Sequence, residues 1–140
     1  MKLRTVRPKT PRRRGQLVEL LFVKKASSLG FLVCKPVCDE SYDFILDSGR
    51  RLWRVQVKST QRFRKGGYLI GACHFSSHGT KRAYTAAEID ILAVYIVPAR
   101  AWYIVPVESF TPQKWLSFYP QHAASRGRFE PFREAWRLLR

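Results

Sequence analysis

A mixed α/β fold, in which one helix leads into a sheet with both parallel and antiparallel pairs, is the class this sequence predicts. Three observations point to it. Residues 16–30, QLVELLFVKKASSLG, carry good helix formers and no proline, and close on a glycine suited to a left-handed stop. Three β-prone runs separated by turn chemistry follow: FLVCKPV (31–37), YDFILD (42–47) and LWRVQVKST (52–60). Two strongly apolar runs, ILAVYIV (91–97) and AWYIVPV (101–107), then flank the short turn Pro98, Ala99, Arg100 and read as a hairpin at the far side of the sheet.

In chain order, CDES (38–41) breaks the first two strands, and Ser48 with Gly49 supplies a tight turn that makes the third strand antiparallel to the second. The start of the fold is therefore αβββ. Residues 61–90 are less regular: QRFRKGG is a basic glycine loop, YLIGACHF a strand, and SSHGTKRAYTAAEID a loop with a helical turn. In the tail, after Pro112, Pro120 and Pro131, FREAWRLLR forms a short helix with Trp136 and Leu139 facing inward and its arginines outward.

A chain of 140 residues, 46% of them hydrophobic, builds one core, so residues 14–140 are expected to form a single domain behind a flexible basic arm at 1–13. The first fourteen positions hold seven basic residues and no acid, but Pro8 and Pro11 argue against the amphipathic helix of a transit peptide. No secretory apolar region follows, so a cytoplasmic location is expected. The 26 Lys and Arg against 10 Asp and Glu leave a net charge of +16, which implies a polyanionic partner. An apolar run of seven residues is too short to span a bilayer, which leaves nucleic acid. Three cysteines argue against a disulfide framework and are read as reduced core thiols. Cys34, Cys38, Cys73, His74 and His78 lack the two clear ligand pairs of a zinc site.

The chemistry concentrates on the third strand. Period two sends Trp53, Val55 and Val57 to one face and Arg54, Gln56 and Lys58 to the other. Alone, that polar row reads as a solvated face. On the neighbouring strand Phe44 and Leu46 share one face and Asp43 and Ile45 the other, which brings an acid beside Gln56 and Lys58. A carboxylate next to an amide oxygen and an ammonium is a possible metal and phosphate site; the plainer alternative is a turn acid paired with a surface lysine. Glu19 is the only polar residue in LVELLFV, a segment apolar nearly all round and hence expected to be buried. A carboxylate there needs a metal, a cation or hydrogen bonds, an arginine salt bridge being the structural alternative.

Glu19, Asp43, and Gln56 with Lys58 one residue apart occur in the order helix, strand, turn, strand. This arrangement resembles the PD-(D/E)XK nuclease superfamily, whose restriction-endonuclease-like core is αβββαβ, a mixed sheet flanked by helices. More narrowly, YDFILD followed by VQVKST resembles the group I intron-associated, homing-type endonucleases, which use Gln in the third motif. Tyr42 replaces the proline of the superfamily's name, and Gln56 replaces the usual acid, which removes one negative charge from the metal shell. The second helix of the core is expected to be short, around TAAEID.

The resemblance implies a Mg2+-dependent endodeoxyribonuclease in which Mn2+ can substitute. Asp43, Gln56, the Val57 carbonyl and Glu19 would hold the ion, and Lys58 would orient water and offset phosphoryl charge. Arg12, Arg13, Arg14, Arg62, Arg64, Lys65, Lys81 and Arg82 are the expected contacts to double-stranded DNA, and Tyr84 and Asp90 are expected to support the fold. One site per chain cuts one strand, so a homodimer or homotetramer is implied for cutting both. A junction-resolving or repair nuclease on the same scaffold, and a non-catalytic DNA-binding domain, are the alternatives.

Overall fold

The computed structural model describes residues 10–75, 78–122 and 127–140. Helix α1 spans Pro11–Ser28. It starts earlier than the sequence pattern indicates, because Thr10 and Pro11 are an initiation signal rather than a break. The Thr10 hydroxyl accepts from the Arg13 N–H at 3.2 Å, and a proline at the first helical position gives up an N–H that would have no partner anyway. Arg12 and Arg13, assigned by sequence to the flexible arm, therefore sit on the first helical turn; residues 1–9 of that arm lie outside the described residues. At the other end, Gly30 has a φ of +89° and stops the helix as expected.

Among the described residues ten strands follow: β1 (Leu32–Cys34), β2 (Phe44–Asp47), β3 (Leu52–Thr60), β4 (Phe63–Arg64), β5 (Gly67–Gly71), β6 (Cys73–Phe75), β7 (Lys81–Ala83), β8 (Ile91–Ile96), β9 (Ala101–Pro106) and β10 (Trp115–Phe118). The central sheet has the order β1-β2-β3-β8-β9, with β3 and β8 parallel and every other pair antiparallel. The sheet is mixed, as expected. The β2–β3 turn is held by Asp47, whose Oδ1 accepts from the Gly49 N–H at 2.7 Å.

A parallel pair needs a crossover, and the sequence reading placed a short helix in it. The structure corrects this. The described residues between 61 and 90 instead form the ribbons β4–β5 and β6–β7 and a turn in which the Glu88 and Ile89 N–H groups share the Thr85 carbonyl. Gly66, Gly67 and Gly79 divide the segment into pieces too short to sustain a helix.

The central sheet is covered on both faces. On one, Val18, Phe22 and Ala26 of α1, spaced four apart, pack with Trp136 and Leu139 against Phe44, Val55, Val57, Trp102 and Ile104. On the other, Ile70, Leu116 and Phe118 from the three-stranded sheet β10-β5-β4 pack on Leu92, Val94, Tyr103 and Val105. Burial on two faces explains why β8 and β9 are apolar runs rather than alternating strands. The inward Trp136 and Leu139 match the sequence reading, although their helix is a 3-10 turn, Trp136–Leu139. The outer side of α1 is open, with Leu17 and Leu20 46% and 66% exposed, so the helix is not buried all round. Cys34 and Cys38 are exposed as well, leaving Cys73 as the core thiol. Among the described residues no helix is long and apolar enough to cross a membrane.

Candidate active site

The site lies where β2 and β3 separate. Pairing begins at Phe44 opposite Val55, so past Val55 the edge of β3 that faced β2 has no strand to bond. Asp43, the residue just before β2, takes that place. Its backbone N–H donates to the Val55 carbonyl at 2.9 Å, and its Oδ2 accepts from the Val57 N–H at 2.8 Å. The same oxygen accepts from Gln56 Nε2 at 2.8 Å, and that nitrogen lies 3.3 Å from the Val57 carbonyl oxygen. Two oxygens, one charged, thus converge on one amide nitrogen in a notch bounded by Asp43, Gln56 and the Val57 backbone.

Burial raises the Asp43 carboxyl above the ordinary carboxylate range against the Val57 N–H bond, which lowers it; the Glu19 charge raises it further, and Lys58 and Lys35 pull it down. Lys58, two residues beyond Gln56 on the same face, is half-buried, with its Nζ 5.8 Å from the centroid of the Tyr84 ring. Tyr84 is itself buried, and its phenol is held neutral by burial first and then by the Asp43 charge. Its place beside Lys58 was not legible in the sequence, because the irregular stretch around it gives no period from which to read a face.

Glu19 reaches this site by charge rather than by hydrogen bond. Its carboxylate accepts from Lys35 Nζ at 3.2 Å, on the wall of a cavity of about 520 Å³ that Gln16, Leu20, Val33 and Phe44 also line. The cation is thus a lysine, not an arginine, and it is well exposed, so the pair adds little stability. Arg54, on the same face of β3 as Gln56, is committed elsewhere: it donates to both carboxylate oxygens of Asp90, at 3.2 and 2.9 Å. That pair ties the start of β8 to β3, a supporting role for Asp90.

The basic residues divide into two groups. Arg12, Arg13 and Arg14 are exposed on the first turn of α1; Arg62 just before β4, Arg64 on it and Lys65 in the turn after it are exposed as well. Arg14 and Gln61 line the same cavity of about 480 Å³, so the helix start and the root of β4 are neighbours. Lys81 and Arg82 are engaged within the protein. Lys81 stands over the Trp115 and Phe75 rings at 4.6 and 5.5 Å, and Arg82 pairs with Glu88 at 2.7 Å, the main cause of the Glu88 pKa falling to about 2. Among the described residues no group of three His, Cys, Asp or Glu is disposed to hold a metal ion, so the notch, with one carboxylate, is a site of mixed donors.

A helix leading into a mixed sheet whose second and third strands part around an acid is the restriction-endonuclease-like fold. The model of the family described as PD-(D/E)XK endonuclease matches residues 9–136, and the chain belongs to that family. Its structure is similar to that of a bacterial homing endonuclease, I-Ssp6803I, with a TM-score of 0.80 and 23% identity over 93% of each chain. It is also similar to Hjc, a Holliday junction resolvase from Archaeoglobus fulgidus, with a TM-score of 0.51 and 16% identity over 76% of this chain and 84% of that one. At these identities the likeness is one of fold. No curated protein sequence matches the chain significantly.

Proposed function

We propose that this endonuclease is a homing-type, Mg2+-dependent enzyme that hydrolyses phosphodiester bonds in double-stranded DNA, with Mn2+ able to substitute. The observation that carries this reading is the convergence of Asp43 Oδ2 and the Val57 carbonyl on the Gln56 amide nitrogen. A hard cation favours an anionic and a neutral oxygen of this kind, and rotation of the amide by half a turn would add the Gln56 carbonyl oxygen to them. The residues present therefore fit such an ion, with Asp43, Gln56 and Val57 as its ligands and Glu19 completing the shell directly or through water. When bound, the metal polarises the scissile phosphate and makes its water more acidic.

The chain's own groups supply the rest. Lys58 directs its ammonium to the non-bridging phosphoryl oxygens, where negative charge grows as water attacks. Charge stabilisation suits it better than proton abstraction, because an ammonium offsets the growing phosphoryl charge without giving up a proton. The Arg12–Arg14 cluster holds the backbone of the duplex, Arg62, Arg64 and Lys65 contact the same duplex, and Lys81 and Arg82 are further contacts to it. A symmetric dimer or tetramer places one site against each strand.

The test is incubation of supercoiled plasmid and a four-way junction with the protein in Mg2+ or Mn2+, with EDTA and Lys58→Ala as controls. Cleavage of plasmid that both controls abolish is expected. Cutting of the junction alone would replace the homing reading with junction resolution, and binding without cutting under every metal condition would remove the enzymatic one.

A further inference from the structure

We propose that the β4–β5 ribbon is the element that reads base sequence, entering the major groove with Arg62 and Arg64 toward the base edges. This rests on duplex DNA being the substrate. Five consecutive residues, Gln61–Lys65, are exposed, three of them are basic and none is acidic. Among the described residues none of these three cations forms an ion pair, whereas Arg54, Arg82 and Arg133 each hold a carboxylate. An edge strand needs only one charge to discourage pairing with another chain, so three unpaired cations call for a further reason.

The ribbon is built to hold its shape. Lys65 and Gly66 have φ values of +50° and +83°, the two left-handed residues of a tight hairpin turn, with Arg64 opposite Gly67 and Phe63 opposite Tyr68. Its root is tied by the Thr60 hydroxyl, which donates to the Leu69 carbonyl at 2.7 Å and accepts from the Arg62 N–H at 3.0 Å. Its back is fixed by Gln121, which donates to the Gly66 carbonyl at 2.7 Å, and by Tyr119, whose ring would lie 2.5 Å from any Cβ at position 67. Among the described residues β4 pairs only with β5, which leaves its other edge without a strand.

Arg62, the residue just before β4, accepts from the Leu69 N–H at 2.9 Å and so continues the ribbon; two residues apart, it and Arg64 share one face, and Phe63 takes the other, where its ring meets Tyr68 at 5.2 Å. A two-stranded ribbon matches the major groove, about 12 Å wide, and an arginine there pairs with guanine O6 and N7 through two hydrogen bonds. The ribbon is also the direct continuation of the strand that carries Lys58. Lys65 is seven residue steps beyond Lys58, a reach of at most about 24 Å, or roughly seven base steps from the scissile phosphate.

The test is selection by binding, in EDTA so that no hydrolysis is required, from a duplex library of randomised sequence. Wild type, Arg64→Gln, Arg62→Gln and, as an equal loss of charge elsewhere on the surface, Arg50→Gln are compared, with thermal melts to establish folding. Wild type is expected to enrich a motif containing guanine. Each ribbon variant should lose preference at one guanine position by roughly tenfold and keep the rest, while Arg50→Gln should keep the whole motif. An unchanged motif in both ribbon variants, or no motif in wild type, overturns the inference. A clear motif together with absence of plasmid cleavage would sink the nuclease reading and leave this one standing.

Discussion

Replacing Gln56 with glutamate restores the acid usual at this position and tests the notch from both sides. In the metal-free protein the change removes the Nε2 donor 2.8 Å from Asp43 Oδ2 and sets a second carboxylate against a half-buried first. Two unit charges about 4 Å apart at an effective dielectric near 20 repel by about 4 kcal/mol, and solvent at this partly open site reduces that to roughly 2–4 kcal/mol. For a chain of this size the melting temperature should fall by roughly 6–12 °C at pH 8 in EDTA. Repulsion raises the carboxyl pKa of the pair above its unfolded value, so the penalty holds above that pKa and fades as pH falls through it. At pH 5 the variant and wild type should therefore melt closer together. Mg2+ neutralises the pair, so it should raise the variant's melting temperature more than the wild type's. Equal melting of the two proteins in EDTA at pH 8, with equal shifts on adding Mg2+, would refute the reasoning.

Burial raises the Asp43 carboxyl, so the folded state holds that proton more tightly than the unfolded chain and the metal-free protein loses stability as pH rises through the folded pKa. Asp43→Asn should therefore melt higher than wild type in EDTA at neutral pH, lose the Mg2+-induced shift and cut no DNA. Glu88 is held down at about pH 2 chiefly by Arg82, so its contribution should be present above about pH 4.5 and vanish as pH falls toward 2; Glu88→Gln should flatten the acid limb of a stability profile. Phe22 is fully buried and its ring lies 5.4–5.8 Å from those of Phe44, Trp102 and Trp136, so Phe22→Ala should cost about 3–5 kcal/mol in urea unfolding. Replacing any one of Arg12, Arg13 or Arg14 with Gln should reduce the slope of log K against log salt by about 0.9 if that residue contacts a phosphate.

Strands β3, β8 and β9 could be read from sequence because their patterns record burial directly: alternation where one face is polar, unbroken apolar runs where two faces are covered. Asp43, Gln56 and Lys58 came within reach for the same reason, since period two in β3 and an acid at the start of β2 bring them to one corner. Helix α1 was misjudged twice. Pro11 breaks a helix anywhere but at its first position, and LVELLFV looks buried all round although the sheet covers only one side of it. The stretch 61–90 was least legible, because ribbons as short as β4 and β7 carry too few residues for a period and owe their form to glycine turns and to packing on the sheet. Lys81 and Arg82 illustrate the limit of charge counting: composition cannot tell a cation held by Trp115 or Glu88 from one free to meet a phosphate.

The most direct test of the central claim is the anomalous scattering of Mn2+ in crystals of this protein grown or soaked with the ion. The notch should show a peak bonded to Asp43 Oδ2 and the Val57 carbonyl, with the Gln56 amide turned so that its oxygen faces the metal. A peak elsewhere, with Gln56 Nε2 still bonded to Asp43 in protein that cleaves DNA, would contradict the assignment.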